Sequence, residues 1–409
     1  MNLRELHLAA RPLAFLDRHA ARSPGVLELR STPHRRLLVS DPAAIRWIFR
    51  GDARFAHPGS RTLAAVLGGR SLVWADGPRH AAYRRGLLPV LRGTRLDGYR
   101  DTIDGVVQAA VDELVVGSVV ALTQWMRRIS LRVMVRVVLG TGDEALATRF
   151  DSWIHRELVS GWRNLVRRRS RGRRTRSDPW LDEKLVKAAS AAGGTGSTAL
   201  ATLLREVARD ERELRDNLVT LLFAGYETTA SAAAWVLYHL HRDPALLAEV
   251  RAEAEAAADD GADAEAVPLL DAVVHEALRL NPPALWAGNR VVVDEDEFLG
   301  VRVTPGTVLT PAIHLAHRDP RQFPDPLRFD AGRFHRTTIP GDRYFPFGGG
   351  LRRCLGAELA TLELRMVVVA VLRRTRLRFL DVSEAAASVR GHTSAPGHGL
   401  RVVVTACHP

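Results

Sequence analysis

Residues 347–356 read F-G-G-G-L-R-R-C-L-G and place Cys354 directly before a helical pattern, in a loop with three consecutive glycines and two arginines. Backbone N–H groups in such a loop can donate to sulfur, and a helix N-terminus favours negative charge, so the loop stabilises a thiolate. A lone cysteine is more often a small buried apolar residue, but that role does not require these glycines and arginines. Glycines allow a flat group to approach the backbone closely. The loop is therefore predicted to hold a thiolate beside a flat ligand.

Residues 224–229 read A-G-Y-E-T-T and lie in the middle of a long apolar helical pattern. A carboxylate at Glu227 costs free energy in such surroundings unless it is paired or has a chemical task. A water network or a distant arginine could pair it, so both explanations stay open at this point. The Thr228 and Thr229 hydroxyls can bond to the preceding turn and open the helix.

Two further pairs of polar residues are spaced so that their side chains share one helix face. Glu276 and Arg279, in E-A-L-R, can form an ion pair at i and i+3, which is common on solvated helices. His80 and Arg84 lie at i and i+4 in D-G-P-R-H-A-A-Y-R and point the same way, which suits a ligand with two carboxylates. A surface histidine explains His80 equally well when that pair is taken alone.

These segments resemble the cytochrome P450 family. Residues 347–356 match its heme-binding signature F-x-x-G-x-R-x-C-x-G at every fixed position, and residues 224–229 resemble its oxygen-activation motif A/G-G-x-D/E-T-T. The matching segments run in family order over residues 76–356. The resemblance implies the cytochrome P450 fold, mainly α with small β-sheets, in a single catalytic domain over residues 1–409, with heme b as the cofactor.

The resemblance also implies roles for single residues. Cys354 would be the axial iron ligand, Thr228 would hydrogen-bond dioxygen, and Glu227 would help to relay protons. Glu276 and Arg279 would form a buried structural cluster with a later arginine, and Arg333 in F-D-A-G-R-F lies at the expected place. The other implied cofactor-binding residues are His80, Arg84, Arg290 and Arg352 at the heme propionates, Phe347 on the thiolate side, and Ala224, Gly350 and Gly356.

The implied reaction is NAD(P)H-dependent insertion of one oxygen atom from O2 into an apolar small molecule. A thiolate ligand pushes electron density onto heme iron and favours O–O cleavage. The chain has no G-x-G-x-x-G loop after a strand and no cysteine set for an iron–sulfur cluster. Electrons are therefore expected from separate proteins, a ferredoxin or flavodoxin and its reductase.

The substrate class stays open. By the same resemblance, these mostly apolar segments would line the pocket, which suits a terpenoid, polyketide, fatty-acyl or peptide substrate: the segment after Phe55, the region 151–205, the long helix near Phe223 and Ala224, residues 285–287 and residues 394–395. Oxidative coupling, peroxygenation or isomerisation are alternative outcomes for a heme-thiolate enzyme, although Glu227 and Thr228 favour conventional activation of O2. A basic binding protein without enzymatic activity is the remaining alternative.

Hydrophobic periodicity predicts the elements that position these residues. Apolar residues at three- and four-residue spacings predict amphipathic helices, Asp41 and Asp76 stand where helix-capping residues are expected, and short β-like runs follow the helical part. The predicted helices are 101–116, 124–139, 213–241 and 354–374, and the predicted strands are 291–293, 301–303 and 307–310.

Length and composition limit the class of protein. The 409 residues are 46% hydrophobic and 25% charged, which is ordinary globular composition and excludes a mostly disordered chain. Since Cys354 and Cys407 are the only cysteines, a disulfide framework is also excluded. No apolar stretch approaches twenty residues and the N-terminus has no signal-peptide core, so we expect no membrane span and a cytoplasmic protein.

The net charge of +12 and the pI near 10.8 raise a nucleic acid or an acidic protein as a partner. However, Lys184 and Lys187 are the only lysines, and the abundance of arginine, alanine and valine indicates a GC-rich coding bias. No nucleic-acid partner is predicted. The bias is associated with actinobacterial natural-product tailoring, a form of secondary metabolism. Residues 163–176 carry eight arginines, which fit a solvated face or a docking site for an acidic carrier protein.

Overall fold

The computed structural model describes most of the chain and is mainly helical with small sheets. The described residues are 3–20, 22, 25–30, 34–59, 63–159, 177–192, 199–259, 267–335, 337–381, 385–390, 392–397 and 400–408. The arginine-rich residues 163–176 lie outside these ranges, so the predicted carrier-protein site does too. None of the described helices is long and apolar enough to cross a membrane.

The α-helices, numbered in chain order over the described residues, pack mainly around one long helix, α11. Their bounds are α1 Leu3–Ala10, α2 Pro12–Ala20, α3 Pro42–Arg50, α4 Ala64–Leu67, α5 Gly77–Leu87, α6 Asp97–Asp112, α7 Leu122–Leu139, α8 Glu144–Val159, α9 Pro179–Ala191, α10 Leu200–Val207, α11 Glu211–Arg242, α12 Pro244–Asp259, α13 Pro268–Leu280, α14 Ile313–Ala316, α15 Gly332–His335 and α16 Ala357–Arg374.

The strands form four small sheets, with strand orders β1-β2-β8-β5-β3, β4-β12-β9, β6-β7 and β10-β11. The β2–β8 pairing is parallel and the other pairings are antiparallel. Their bounds are β1 Val26–Arg30, β2 Arg36–Val39, β3 Phe55–Ala56, β4 Val119–Ala121, β5 Arg290–Val292, β6 Asp296–Phe298, β7 Val301–Val303, β8 Val308–Pro311, β9 Thr375–Phe379, β10 Ala387–Arg390, β11 Thr393–Pro396 and β12 Arg401–Cys407.

Two predicted helix starts are confirmed. The Asp41 carboxylate accepts hydrogen bonds from the backbone N–H groups of Ala43 and Ala44, and the Asp76 carboxylate accepts one from Gly77. Each cap satisfies N–H groups that have no partner inside the helix, and a proline follows in the first turn. The second cap begins α5, which carries His80 and Arg84.

Helix α11 contains 32 residues and runs for about 48 Å through the protein. It starts two residues before the predicted 213–241 because the Asp210 carboxylate accepts a hydrogen bond from the Glu213 N–H, a cap that the sequence analysis missed. The helix is buried along most of its length and packs along α7. A rigid, buried helix thus carries the A-G-Y-E-T-T segment through the centre of the protein.

The helix after the cysteine loop begins at Ala357, not at Cys354 as predicted. The Cys354 N–H donates to the Phe347 carbonyl oxygen (2.8 Å), and Gly350–Arg352 form a short 3-10 turn, so Cys354 belongs to the loop. The other predicted bounds differ from the observed ones by four residues or fewer: α6 is 97–112, α7 is 122–139, β5 is 290–292 and β8 is 308–311, while β7 matches the prediction of 301–303.

Candidate active site

The Cys354 thiol is accessible, although it lies deep in the protein. Burial raises the pKa of the thiol above its ordinary value, while the Gly356 N–H and the guanidinium groups of Arg353 and Arg84 act in the opposite direction. An accessible but enclosed thiol faces space that a ligand can fill. A metal cation beside the sulfur would lower the pKa of the thiol in the same direction as these groups. It would thus favour the thiolate, which is the form that ligates metals.

At two positions of the loop only glycine fits, because neighbouring residues leave no space for a Cβ atom. A Cβ on Gly349 would lie 2.3 Å from the Phe49 ring, and one on Gly350 would lie 2.3 Å from the Asp52 carboxylate. Gly350 also has a φ of +65°, which favours glycine. A side chain on Gly350 would point toward α3 and the turn after it, so the residue is adjacent to both the loop and α3. A Cβ on Gly356 would meet open space.

One face of α11 is open although most of this helix is buried. Ala224 is exposed, and Leu221, Gly225 and Thr228 are half-buried at the three- and four-residue spacings of a single helix face. The Thr228 hydroxyl donates to the Ala224 carbonyl oxygen (2.7 Å), which confirms the predicted bond to the preceding turn. A Cβ on Gly225 would collide with Met134, so α7 closes the adjacent side.

Glu227 is buried, and burial raises its pKa to about 7 against the opposing effect of Arg127. Its Oε1 atom lies 4.0 Å from Arg127 Nη1 and 3.7 Å from Arg390 Nε. Two arginines thus lie near Glu227, as the explanation by pairing requires, but at distances beyond a hydrogen bond. A carboxyl group with this pKa can both take up and release a proton near neutral pH.

Arg290 and Arg352 are each held by an aspartate from a distant part of the chain. Arg290 is fully buried and donates to both carboxylate oxygens of Asp52 (2.9 and 3.0 Å) and to the Gly349 carbonyl oxygen (3.0 Å). Arg352 donates to Asp76 Oδ1 (2.9 Å), and its buried Nε has no hydrogen-bond partner. An unpaired buried N–H group costs free energy, so Arg352 is suited to an anionic ligand.

His80 and Arg84 lie on α5, the helix that begins at the Asp76 cap. Burial, together with the nearby charges of Arg352 and Arg84, lowers the pKa of His80 to about 4, so the imidazole is neutral at pH 7. Arg84 donates to the Arg353 carbonyl oxygen (2.8 Å) and so touches the cysteine loop directly. The four arginine and histidine positions predicted for the propionates therefore lie close to the loop or to one another.

The residues that join these cations were not predicted from the sequence. His57 Nε2 lies 2.9 Å from Asp52 Oδ1, and His57 Nδ1 lies 3.0 Å from Asp76 Oδ1. Asp52 also holds Arg290, and Asp76 also holds Arg352, so one continuous chain of contacts links the two arginines. The sequence marked Asp76 only as a helix cap and gave no signal for Asp52 or His57.

The predicted Glu276 cluster is confirmed. Arg279 Nε and Nη2 donate to the two Glu276 oxygens (2.7 and 2.8 Å), and Arg333 Nε donates to Oε1 (3.3 Å). Glu276 and Arg279 are both fully buried, and the Asp330 N–H also donates to the carboxylate (2.9 Å). The cluster joins α13 to the segment that leads to the cysteine loop, so its function is structural.

These features fit an iron porphyrin. A porphyrin with two propionates needs an iron ligand, an open surface and cations for its carboxylates. The structure provides the accessible Cys354 thiol, the open face of α11 at Ala224 and the unpartnered Nε of Arg352. Among the described residues no cluster of three or more metal-ligating side chains is present.

Comparison with known proteins agrees with this site. A profile of the family described as cytochrome P450 matches residues 196–391. The chain is 33% identical over 390 residues to a Mycobacterium tuberculosis protein named putative cytochrome P450 135B1, over 90% of this chain and 82% of that protein. It is 29% identical over 395 residues to cyclooctat-9-en-7-ol 5-monooxygenase of Streptomyces melanosporofaciens, over 90% of this chain and 85% of that enzyme.

Two solved structures have the same fold. The retinoic-acid-bound cyanobacterial CYP120A1 has a TM-score of 0.82 at 24% identity and covers 98% of this chain and 96% of its own. The cytochrome P450DA heme domain has a TM-score of 0.81 at 21% identity, with 99% and 95% covered. The predicted fold, mainly α with small β-sheets, is thus confirmed. With its Mycobacterium relative matched along most of both sequences, the chain belongs to the cytochrome P450 family and is a monooxygenase with heme as its cofactor.

Proposed function

We propose that this enzyme inserts one oxygen atom from O2 into an apolar small molecule that binds beside the open face of α11. The observation that carries the proposal is an accessible cysteine thiol in a glycine-rich loop, together with an exposed Ala224 on an otherwise buried helix. Bound heme supplies a thiolate-ligated iron, which favours O–O cleavage. The side chains of this protein hold that heme, orient the substrate and move protons.

The residues fall into three groups by task. Cys354 ligates the iron, and Glu227 and Thr228 relay protons on the substrate side. The Thr228 hydroxyl, fixed by its bond to the Ala224 carbonyl oxygen, presents a polar group at the open face. The residues that hold the macrocycle and its propionates are His80, Arg84, Ala224, Arg290, Phe347, Gly350, Arg352 and Gly356.

The substrate we propose is a terpenoid or a molecule of similar apolar character, bound during natural-product tailoring. One relative is named for a reaction on cyclooctat-9-en-7-ol, which supports this class. The expected pocket segments are apolar: Leu285 and Ala287 are almost fully buried, and Leu221 and Ala224 line the open face. Apolar walls bind a substrate through its buried area and fix its orientation with few polar groups.

Turnover with isotopically labelled O2 tests the proposed reaction. Ligands of the terpenoid, polyketide and fatty-acyl classes are first screened by the change that binding causes in the heme spectrum. A binding ligand should then give a product that carries one labelled oxygen atom. A product without the label would favour isomerisation or coupling, and oxygen taken from added unlabelled peroxide would favour a peroxygenase.

We propose NAD(P)H as the electron source, through a ferredoxin or flavodoxin and its reductase. A basic face beside the cysteine loop would receive the acidic redox protein. Arg353 and Arg373 are exposed and available to it, whereas the Arg352 and Arg374 side chains are each paired with an aspartate. Arg353 also lines a cleft of about 850 Å³ next to the loop. The docking face is therefore centred on Arg353.

Electron delivery should weaken as salt rises and when Arg353 is neutralised. Charges on exposed surfaces are screened over about 8 Å at physiological ionic strength, so steered association slows first. Arg353→Gln should lower the rate of reduction by a ferredoxin at low salt and flatten its salt dependence. Arg302→Gln, in the β6–β7 hairpin, is the matched control. Equal rates for both variants at low salt would argue against this face.

A further inference from the structure

Glu227 lies in a buried polar cluster that the family motif does not describe. The groups beside it are Arg127 on α7, Asp151 on α8, Arg390 on β10 and Tyr226 on α11 itself, and His155 on α8 contacts Arg390. We call these residues the Glu227 cluster. Residues of α7, α8, α11 and β10 therefore lie around one carboxyl group.

The two arginines approach Glu227 without forming a hydrogen bond to it. Arg127 Nη1 and Arg390 Nε lie 4.0 and 3.7 Å from Oε1, while Oε2 is buried with no hydrogen-bond partner. Arg127 Nε and Nη1 are also buried without a partner. Charges at this separation stabilise the carboxylate, yet they leave Oε2 free to accept a proton.

Asp151 acts on Glu227 in the opposite sense. The Tyr226 hydroxyl donates to Asp151 Oδ1 (3.3 Å) and also interacts with Glu227, so the two carboxyl groups share one neighbour. The negative charge of Asp151 disfavours a second negative charge on Glu227. On the outer side, Arg390 donates to the Nδ1 of the exposed His155 (2.7 Å), which brings the cluster to the protein surface.

We propose that Arg127 and Arg390, opposed by Asp151, are positioning residues that set the pH at which Glu227 Oε2 takes up and releases a proton. The inference rests on the proposed monooxygenase function, since it explains how the carboxyl group that relays protons can be both protonated and ionised near neutral pH. The step moves one proton between water and a carboxylate, and no electrons are transferred.

The direction of each effect follows from the charges. The pKa of a glutamate is ordinarily near 4.5, and burial raises that of Glu227 to about 7, with Arg127 lowering it and Asp151 raising it. Removing either arginine should therefore raise the pH of titration, and removing the Asp151 charge should lower it. An opposite charge within about 4–6 Å shifts a carboxyl pKa by about one unit or more.

Infrared difference titration of the heme-loaded protein measures this directly, through the C=O stretching band of a protonated carboxyl group. Glu227→Gln should remove one band and so identify it. Arg127→Gln and Arg390→Gln should move its midpoint up by about one pH unit, and Asp151→Asn should move it down. Arg127→Lys keeps the charge and should restore the midpoint, and Arg128→Gln, on the exposed side of α7, is the control.

The same variants should shift the pH profile of kcat in the same order, with KM for the substrate little changed. Midpoints that are equal in all variants would overturn the proposal, as would a shift in the same direction for Arg127→Gln and Asp151→Asn. The infrared titration requires no turnover. A protein that lacked thiolate-ligated heme would instead contradict the proposed function, so the two failures are distinguishable.

Discussion

Glu227→Gln is expected to slow turnover by about 10²- to 10⁴-fold, the usual contribution of general acid–base catalysis. The amide keeps the shape of the side chain but cannot take up and release a proton. Because Glu227 is buried and its carboxyl pKa is about 7, both of its protonation states are populated at neutral pH. Turnover rate, heme content and the spectral change on ligand binding should be measured together, and the last two should stay at parent values.

Thr228→Ala separates proton delivery from binding. The hydroxyl of Thr228 lies at the open face, so its loss should leave ligand affinity intact and release more hydrogen peroxide per pair of electrons consumed. Thr229→Ala is the matched control, because the Thr229 side chain is buried away from that face. Parent-like rate and coupling in both Glu227→Gln and Thr228→Ala would show that other groups relay the protons.

Glu276→Gln is expected to cost about 3 to 5 kcal/mol of stability, because it leaves a fully buried guanidinium without its counter-charge. The carboxylate accepts from Arg279 twice and from Arg333 once, so the substitution weakens three charged contacts together. Urea unfolding of the heme-loaded protein should show an earlier midpoint. Loss of heme should accompany it, since the cluster holds the segment before the cysteine loop.

An exposed ion pair provides the control for that prediction. Glu295 and Arg302 form a pair across the β6–β7 hairpin with both side chains largely in solvent. Glu295→Gln should leave the unfolding midpoint nearly unchanged, because water and salt screen such pairs. If Glu276→Gln unfolded at the same urea concentration as Glu295→Gln, the cluster would not have the structural function assigned to it.

Local sequence was sufficient to predict the features that lie within one segment. The cysteine loop, the A-G-Y-E-T-T segment and the caps at Asp41 and Asp76 each depend on residues a few positions apart. The resemblance to the family added Arg333, which is 57 residues from Glu276 and cannot be paired with it by periodicity. The fold class followed from the same resemblance, and the structural comparisons confirm it.

Contacts between distant segments could not be predicted. Asp52 and Arg290 are 238 residues apart, and nothing in either segment indicates that they form a buried pair. The arginines beside Glu227 come from α7 and β10, which the chain brings together only on folding. Phe49 and Asp52, the neighbours of Gly350, are visible only in the structure.

The absorption spectrum of the reduced, carbon-monoxide-bound protein tests the central claim most directly. A thiolate ligand from Cys354 should give the strongly red-shifted Soret band of heme-thiolate proteins. Cys354→Ala should abolish that band, whereas Cys407→Ala, at the end of β12, should keep it unchanged. A red-shifted band that persists in Cys354→Ala, or a parent protein that shows none, would contradict the account.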